Sequence, residues 1–102
     1  MAKTSPVEFF QQVRQEVFEA FTHLREVLET QTAIIALVAD RQRIVDRWEE
    51  LSKNQTAPIP ELLKAHIDLL DAKRSEEAVA YAVLVASAAL EKATGGEWQW
   101  IR

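Results

Sequence analysis

Apolar side chains follow a seven-residue repeat through the first half of the chain. One row of the repeat contains Phe10, Val17, Leu24, Gln31, Val38 and Val45, a second contains Val13, Ala20, Val27, Ile34, Arg41 and Trp48, and a third contains Phe21, Leu28 and Ile35. A repeat of this period places its members on one face of a long α-helix. The pattern predicts a helix over about residues 6–51, in which Gln31 and Arg41 either fix the register or lie at an edge.

Local signals predict the ends of this helix and of a second one. Ser5-Pro6-Val7-Glu8 matches a capping box with proline at the first helical position. A polar stretch that ends in two prolines predicts a loop over residues 52–59. We expect the second helix to begin at about Pro60 and to end at about Thr94, since Gly95 and Gly96 follow. Residues 95–102 then form a short tail.

The second helix also repeats its apolar residues, with Leu63, Leu70, Tyr81, Leu84 and Ala88 on a common face. The sequence therefore predicts an all-α fold in which residues 1–102 form a single antiparallel helical hairpin. Each helix of a hairpin covers only one side of the other, so the remaining apolar surface should pack against other hairpins in a bundle or an α-barrel. The expected partners are further copies of this chain, in a homo-oligomer, or neighbouring helical hairpins.

We expect a common set of apolar side chains to make these packing and oligomer contacts. The set is Phe10, Val17, Phe21, Leu24, Leu28, Ile35, Val38, Val45, Leu63, Leu70, Tyr81, Leu84 and Ala88.

Composition excludes several kinds of chemistry. The chain has 102 residues, no cysteine and a net charge of −4, which excludes disulfides and thiolate zinc sites and argues against a general nucleic-acid partner. The two histidines, His23 and His66, fall in different helices, and we expect no metal site. The acidic groups at 46–50 and 76–77 are interpreted as solvated faces. No catalytic motif occurs, so we expect neither an enzyme nor a cofactor.

Membrane contact is expected to be at most indirect. No uncharged stretch reaches the roughly 18–20 residues that a spanning helix needs. The chain as given shows no secretory signal and no lipidation cysteine, and these features leave its compartment open. Peripheral membrane binding through Phe9, Phe10, Trp98 or Trp100 is a minor alternative.

Several segments in order resemble the TolC-type outer-membrane efflux proteins. Residues 13–24 resemble a helix opening of that family, and Arg47-Trp48 falls where the family has Arg-Tyr before its tip turn. Residues 57–66 resemble the segment that restarts the chain, and residues 90–96 are similar to its Leu-x-x-Ala-Thr-Gly ending. The whole chain is thus similar to the final helical hairpin of the family's second repeat.

The resemblance implies a place in a periplasmic α-barrel that exports substrates together with an inner-membrane pump. It also implies that the hairpin tip contacts a periplasmic adaptor protein, and it makes Arg47, Trp48, Pro58, Ile59, Glu61 and Lys64 the candidate tip or partner residues. Lys64 departs from the family by being basic. The glycine-free loop, the missing β-strands and the missing first repeat are further departures, and they indicate a fragment, a remnant or an independent module.

Two other interpretations remain open. Residues 5–17 resemble the amphipathic opening of the SecE subunit of the preprotein translocase, although the following turn and membrane span are missing. The second is a stand-alone, self-associating helical bundle that serves as a protein–protein interaction or structural module. This alternative depends on the seven-residue repeats and on the complete-looking start of the chain, with Met1 and the Ser5 cap.

Overall fold

The computed structural model describes residues 5–54 and 58–95, which form two long α-helices. Helix α1 spans Pro6–Lys53 and helix α2 spans Ile59–Ala93, with lengths of 48 and 35 residues. The described ranges contain no strand. The two helices pack as an antiparallel hairpin, which confirms the predicted fold class.

The capping box at the start of α1 is formed as the sequence predicts. The backbone N–H of Glu8 donates to Ser5 Oγ over 3.1 Å, and the N–H of Ser5 donates to Glu8 Oε2 over 3.4 Å. The N–H of Phe9 donates to the Ser5 carbonyl oxygen over 2.9 Å and closes the first turn. These bonds satisfy backbone donors that otherwise have no partner at a helix start.

The connection between the helices is shorter than the predicted loop of residues 52–59. Helix α1 continues to Lys53, and the N–H of Asn54 donates to the Leu51 carbonyl oxygen over 3.2 Å. Helix α2 begins at Ile59, one residue before the predicted start, and the Pro58 carbonyl oxygen accepts from the N–H of Leu62. Pro60 fits in the first turn because no helical bond requires its missing N–H. Residues 55–57 lie outside the described residues.

Helix α2 ends at Ala93, one residue before the predicted Thr94, and the glycine that the sequence indicates as its stop follows at Gly95. Gly95 has a φ of 67°, a left-handed conformation that glycine adopts without steric cost. The hydroxyl of Thr94 donates to the Leu90 and Glu91 carbonyl oxygens, at 3.1 and 3.0 Å, and so caps part of the last turn. The predicted tail with Trp98 and Trp100 lies outside the described residues.

The chain divides into two units that each pair a part of α1 with a part of α2. Among the described residues, the loop unit covers 29–54 and 58–80, and the terminal unit covers 5–28 and 81–95. In the loop unit, Val45, Ala65 and Leu69 form a buried cluster that is covered by Val38, Ile44 and Trp48. In the terminal unit, Ala86 is the most buried apolar residue, at 1% exposure.

The first two apolar rows of α1 face α2, as their seven-residue repeat suggests. Val45 is buried, and the rows' other members from residue 13 to residue 48 are half-buried. The buried residues of α2 follow the same repeat at Ala65, Leu69, Ala72, Val79 and Ala86. Much of the α2 contribution is therefore alanine, whose small side chain lets two helices approach closely.

Removing the cap of α1 should destabilise the chain. Ser5→Ala deletes the hydroxyl that accepts from Glu8, and we expect the free energy of unfolding to fall by about 1 kcal/mol. Thermal unfolding followed by circular dichroism measures the change. Ser5→Asp is the matched control because aspartate also caps a helix, so equal losses in both variants would contradict the role of the cap.

Candidate functional site

Helix α2 carries apolar side chains on two opposite sides. Ala65, Leu69, Ala72, Val79 and Ala86 are buried on its inner side. The outer face of α2, defined by Leu63, Ile67, Leu70, Tyr81, Leu84 and Ala88, lies about half a turn away around the helix. Its large side chains are 56–70% exposed. A helix that is apolar on both sides is typical of the interior of a bundle, where it has neighbours on each side.

Exposed apolar residues also flank the inner rows of α1. In the terminal unit these include Phe9, Phe10, Phe18 and Phe21, all more than half exposed. In the loop unit they are Ile35 and Leu37. Large exposed apolar side chains in such number mark interaction surfaces in soluble chains.

The predicted packing set therefore separates into two groups. Val45 is buried within the hairpin, and Val17, Leu24 and Val38 are half-buried there. The other members are exposed, namely Phe10, Phe21, Leu28, Ile35, Leu63, Leu70, Tyr81, Leu84 and Ala88. The first group packs between the two helices, and the second contributes exposed apolar surface. The buried α2 residues Ala65, Leu69, Ala72, Val79 and Ala86 were not in the predicted set.

The predicted tip residues lie around the loop end of the hairpin. Trp48 packs on the Val45 cluster, so part of its indole surface is already used within the chain. Glu61 and Lys64 line a shallow hollow of about 230 Å³ together with Ile44, Trp48, Ala65 and Asp68. Arg47, Pro58 and Ile59 are exposed.

A histidine–carboxylate contact joins the two helices near this end. His66 Nε2 lies 3.2 Å from Glu49 Oε1, and both side chains are roughly half exposed. Exposed pairs of this kind contribute at most about 1 kcal/mol. The expected solvated character of Asp46, Glu49 and Glu50 agrees with their exposure. The pairing with His66 gave no sequence signal because the partners lie on different helices.

Three polar side chains occupy the inward-facing rows of the loop unit. Gln31 and Arg41 are half-buried, and so is Glu76, which corrects its interpretation as part of a solvated face. Arg41 shares a shallow hollow with Asp68 and Asp71 on α2. Opposite charges at such positions favour one register of the two helices over alternatives.

The described residues hold no group of three His, Asp or Glu side chains that suits a metal ion. Within the same ranges, no helix is long and apolar enough to cross a membrane. The chemistry that these residues do offer is apolar contact, supplemented by pairs of opposite charge.

Comparison of the chain with known protein families, with characterised proteins and with solved structures gives no match.

Enlarging an alanine on the inner side of α2 should separate the helices. Ala72 is 4% exposed, and we expect Ala72→Leu to lower the free energy of unfolding by about 1–3 kcal/mol because the added carbons have no room. Ala36→Leu, at an exposed position of the same unit, is the matched control and should change stability by no more than about 0.5 kcal/mol. Chemical denaturation of both variants measures the difference, and equal stabilities would contradict close packing at Ala72.

Proposed function

We propose that this chain is a non-catalytic helical assembly element, whose exposed apolar surface packs against further helical hairpins. The observation that carries the proposal is the outer face of α2. Its large side chains remain exposed after the hairpin has formed, although they recur with the same period as the buried ones.

The energetics favour covering this face. Apolar surface gains about 25 cal/mol for each Å² removed from water. A stable protein–protein interface buries roughly 800 Å² on each partner. The exposed residues of α1, including Phe21 and Ile35, add apolar area beside the inner rows. Other copies of the same chain are suitable partners because each brings an identical apolar face.

The resemblance to TolC-type efflux proteins supports a more specific form of this proposal. In that form the hairpin is one member of a periplasmic α-barrel, and its loop end contacts an adaptor protein. The support comes from the resembling segments at residues 47–48, 57–66 and 90–96, which fall near the end of α1, at the start of α2 and at the end of α2. The open hollow beside Trp48, Glu61 and Lys64 would then lie at the adaptor-binding end.

The alternative is a stand-alone bundle formed by a few copies of the chain. The two forms differ in what the isolated 102-residue chain does in solution. Light scattering over a range of concentrations, with circular dichroism alongside, distinguishes them. A discrete helical dimer or tetramer supports the stand-alone bundle. A poorly folded monomer or open-ended aggregates support a hairpin that needs barrel neighbours. A well-folded monomer at every concentration contradicts both.

Placing a charge on the exposed apolar surface of α1 should dissociate the assembly. We expect Leu28→Asp and Ile35→Asp each to lower the mass in solution, because an unpaired buried carboxylate costs about 3–5 kcal/mol. Both positions are at least 42% exposed within the chain, so helix content should be retained.

Ala36→Asp serves as the control for these two variants. Ala36 is exposed and lies one residue from Ile35, but it points away from the apolar rows. The mass of the Ala36→Asp variant should equal that of the unchanged protein. An unchanged mass in Leu28→Asp and Ile35→Asp would show that α1 does not contribute to the assembly.

A further inference from the structure

The outer face of α2 has two charged residues at its centre. Along one side of the helix, in alternating steps of four and three, the residues are Leu63, Ile67, Leu70, Arg74, Glu77, Tyr81, Leu84 and Ala88. Arg74 and Glu77 are exposed, and apolar residues continue along the same side of the helix toward both of its ends. Neither residue forms an ion pair or a side-chain hydrogen bond within the described part of the chain.

This order of residues on the outer face of α2 is complementary to the same face of a second, identical helix that runs in the opposite direction. If a twofold axis relates the two copies and passes midway between residues 75 and 76, Arg74 of each copy lies opposite Glu77 of the other. The same operation places the apolar residues opposite each other as Leu70 with Tyr81, Ile67 with Leu84, and Leu63 with Ala88. Antiparallel helices pair residues in this way when their seams repeat every seven residues.

We propose that a second copy of this chain occupies the outer face of α2, with the two α2 helices antiparallel about a twofold axis between residues 75 and 76. This inference rests on the proposed function and adds the partner, the orientation and the register. The twofold axis creates two identical Arg74–Glu77 pairs at the centre of the interface, as an isologous dimer requires.

Charge selects this arrangement over the parallel one. A parallel, in-register pair of α2 helices places Arg74 against Arg74 and Glu77 against Glu77, and like charges in contact disfavour a complex. The antiparallel register converts both contacts into attractive ones. Ala78 and Ala80, which are exposed beside the central residues, are small enough to let the two helices approach there.

Cysteine cross-linking tests the orientation, since the natural chain contains no cysteine. In the proposed register, residue 63 of one copy lies opposite residue 88 of the other. Two copies of residue 63 are separated by 25 positions, or about 37 Å along the helix, which no disulfide can span. We therefore expect covalent dimers from an equimolar mixture of Leu63→Cys and Ala88→Cys under mild oxidation, and none from either variant alone.

Ala36→Cys, on the exposed side of α1, gives the background from random collisions. Cross-linking of Leu63→Cys with itself would overturn the antiparallel register, and so would a mixture no more reactive than background while light scattering still shows an oligomer. Absence of any oligomer in the unchanged chain would also overturn the twofold pairing, and only a well-folded monomer at every concentration would contradict the proposed function as well. The two failures are thus distinguishable.

Charge exchange tests the two central pairs independently of cysteine chemistry. Arg74→Glu sets two carboxylates against each other at both pairs, and Glu77→Arg sets two guanidinium groups against each other, so each variant should self-associate at least about tenfold more weakly. The double variant Arg74→Glu/Glu77→Arg restores opposite charges and should regain the original dissociation constant, as should an equimolar mixture of the two single variants. A double variant as weak as the singles would overturn the assignment of these pairs.

Discussion

The close approach of α1 to the alanines of α2 is the constraint on which the rest of this structure depends. Ala65, Ala72 and Ala86 are among the most buried residues, and Val45 of α1 packs directly on Ala65 and Leu69. Three of the five buried residues on the inner side of α2 are alanines, and most of its large apolar side chains lie on the outer side. The packing that closes the hairpin therefore also creates the surface that a partner can cover.

Polar residues select one register of packed helices over others and contribute little to the free energy of the contact. Gln31, Arg41 and Glu76 are half-buried in the inward-facing rows, and a shifted register would separate Arg41 from Asp68 and Asp71. The proposed pairing of Arg74 with Glu77 on the outer face has the same physical role between copies. In both places apolar contact supplies attraction that does not depend on direction, and charge decides which geometry is adopted.

The function that we propose from these features is assembly. Apolar surface is distributed along both helices, whereas the hollows around the loop end are shallow and lined by ordinary charged side chains such as Glu61, Lys64 and Asp68. The His66–Glu49 contact ties the helices together near the loop but is roughly half exposed to solvent. The loop end is therefore suited to a secondary contact, and the sides of the hairpin are suited to the main one.

The sequence by itself determined the features that depend on neighbouring residues. The capping box at Ser5 and the left-handed Gly95 involve hydrogen bonds between residues three or four positions apart. The start of α1 and the end of α2 were therefore predictable to within two residues. It also determined that apolar residues repeat every seven positions. It did not determine which side of α2 faces α1, because both sides share that period and the outer one carries the larger apolar side chains. Only tertiary packing decided which side of α2 faces α1, because alanine side chains let the two helix backbones approach more closely than large side chains do.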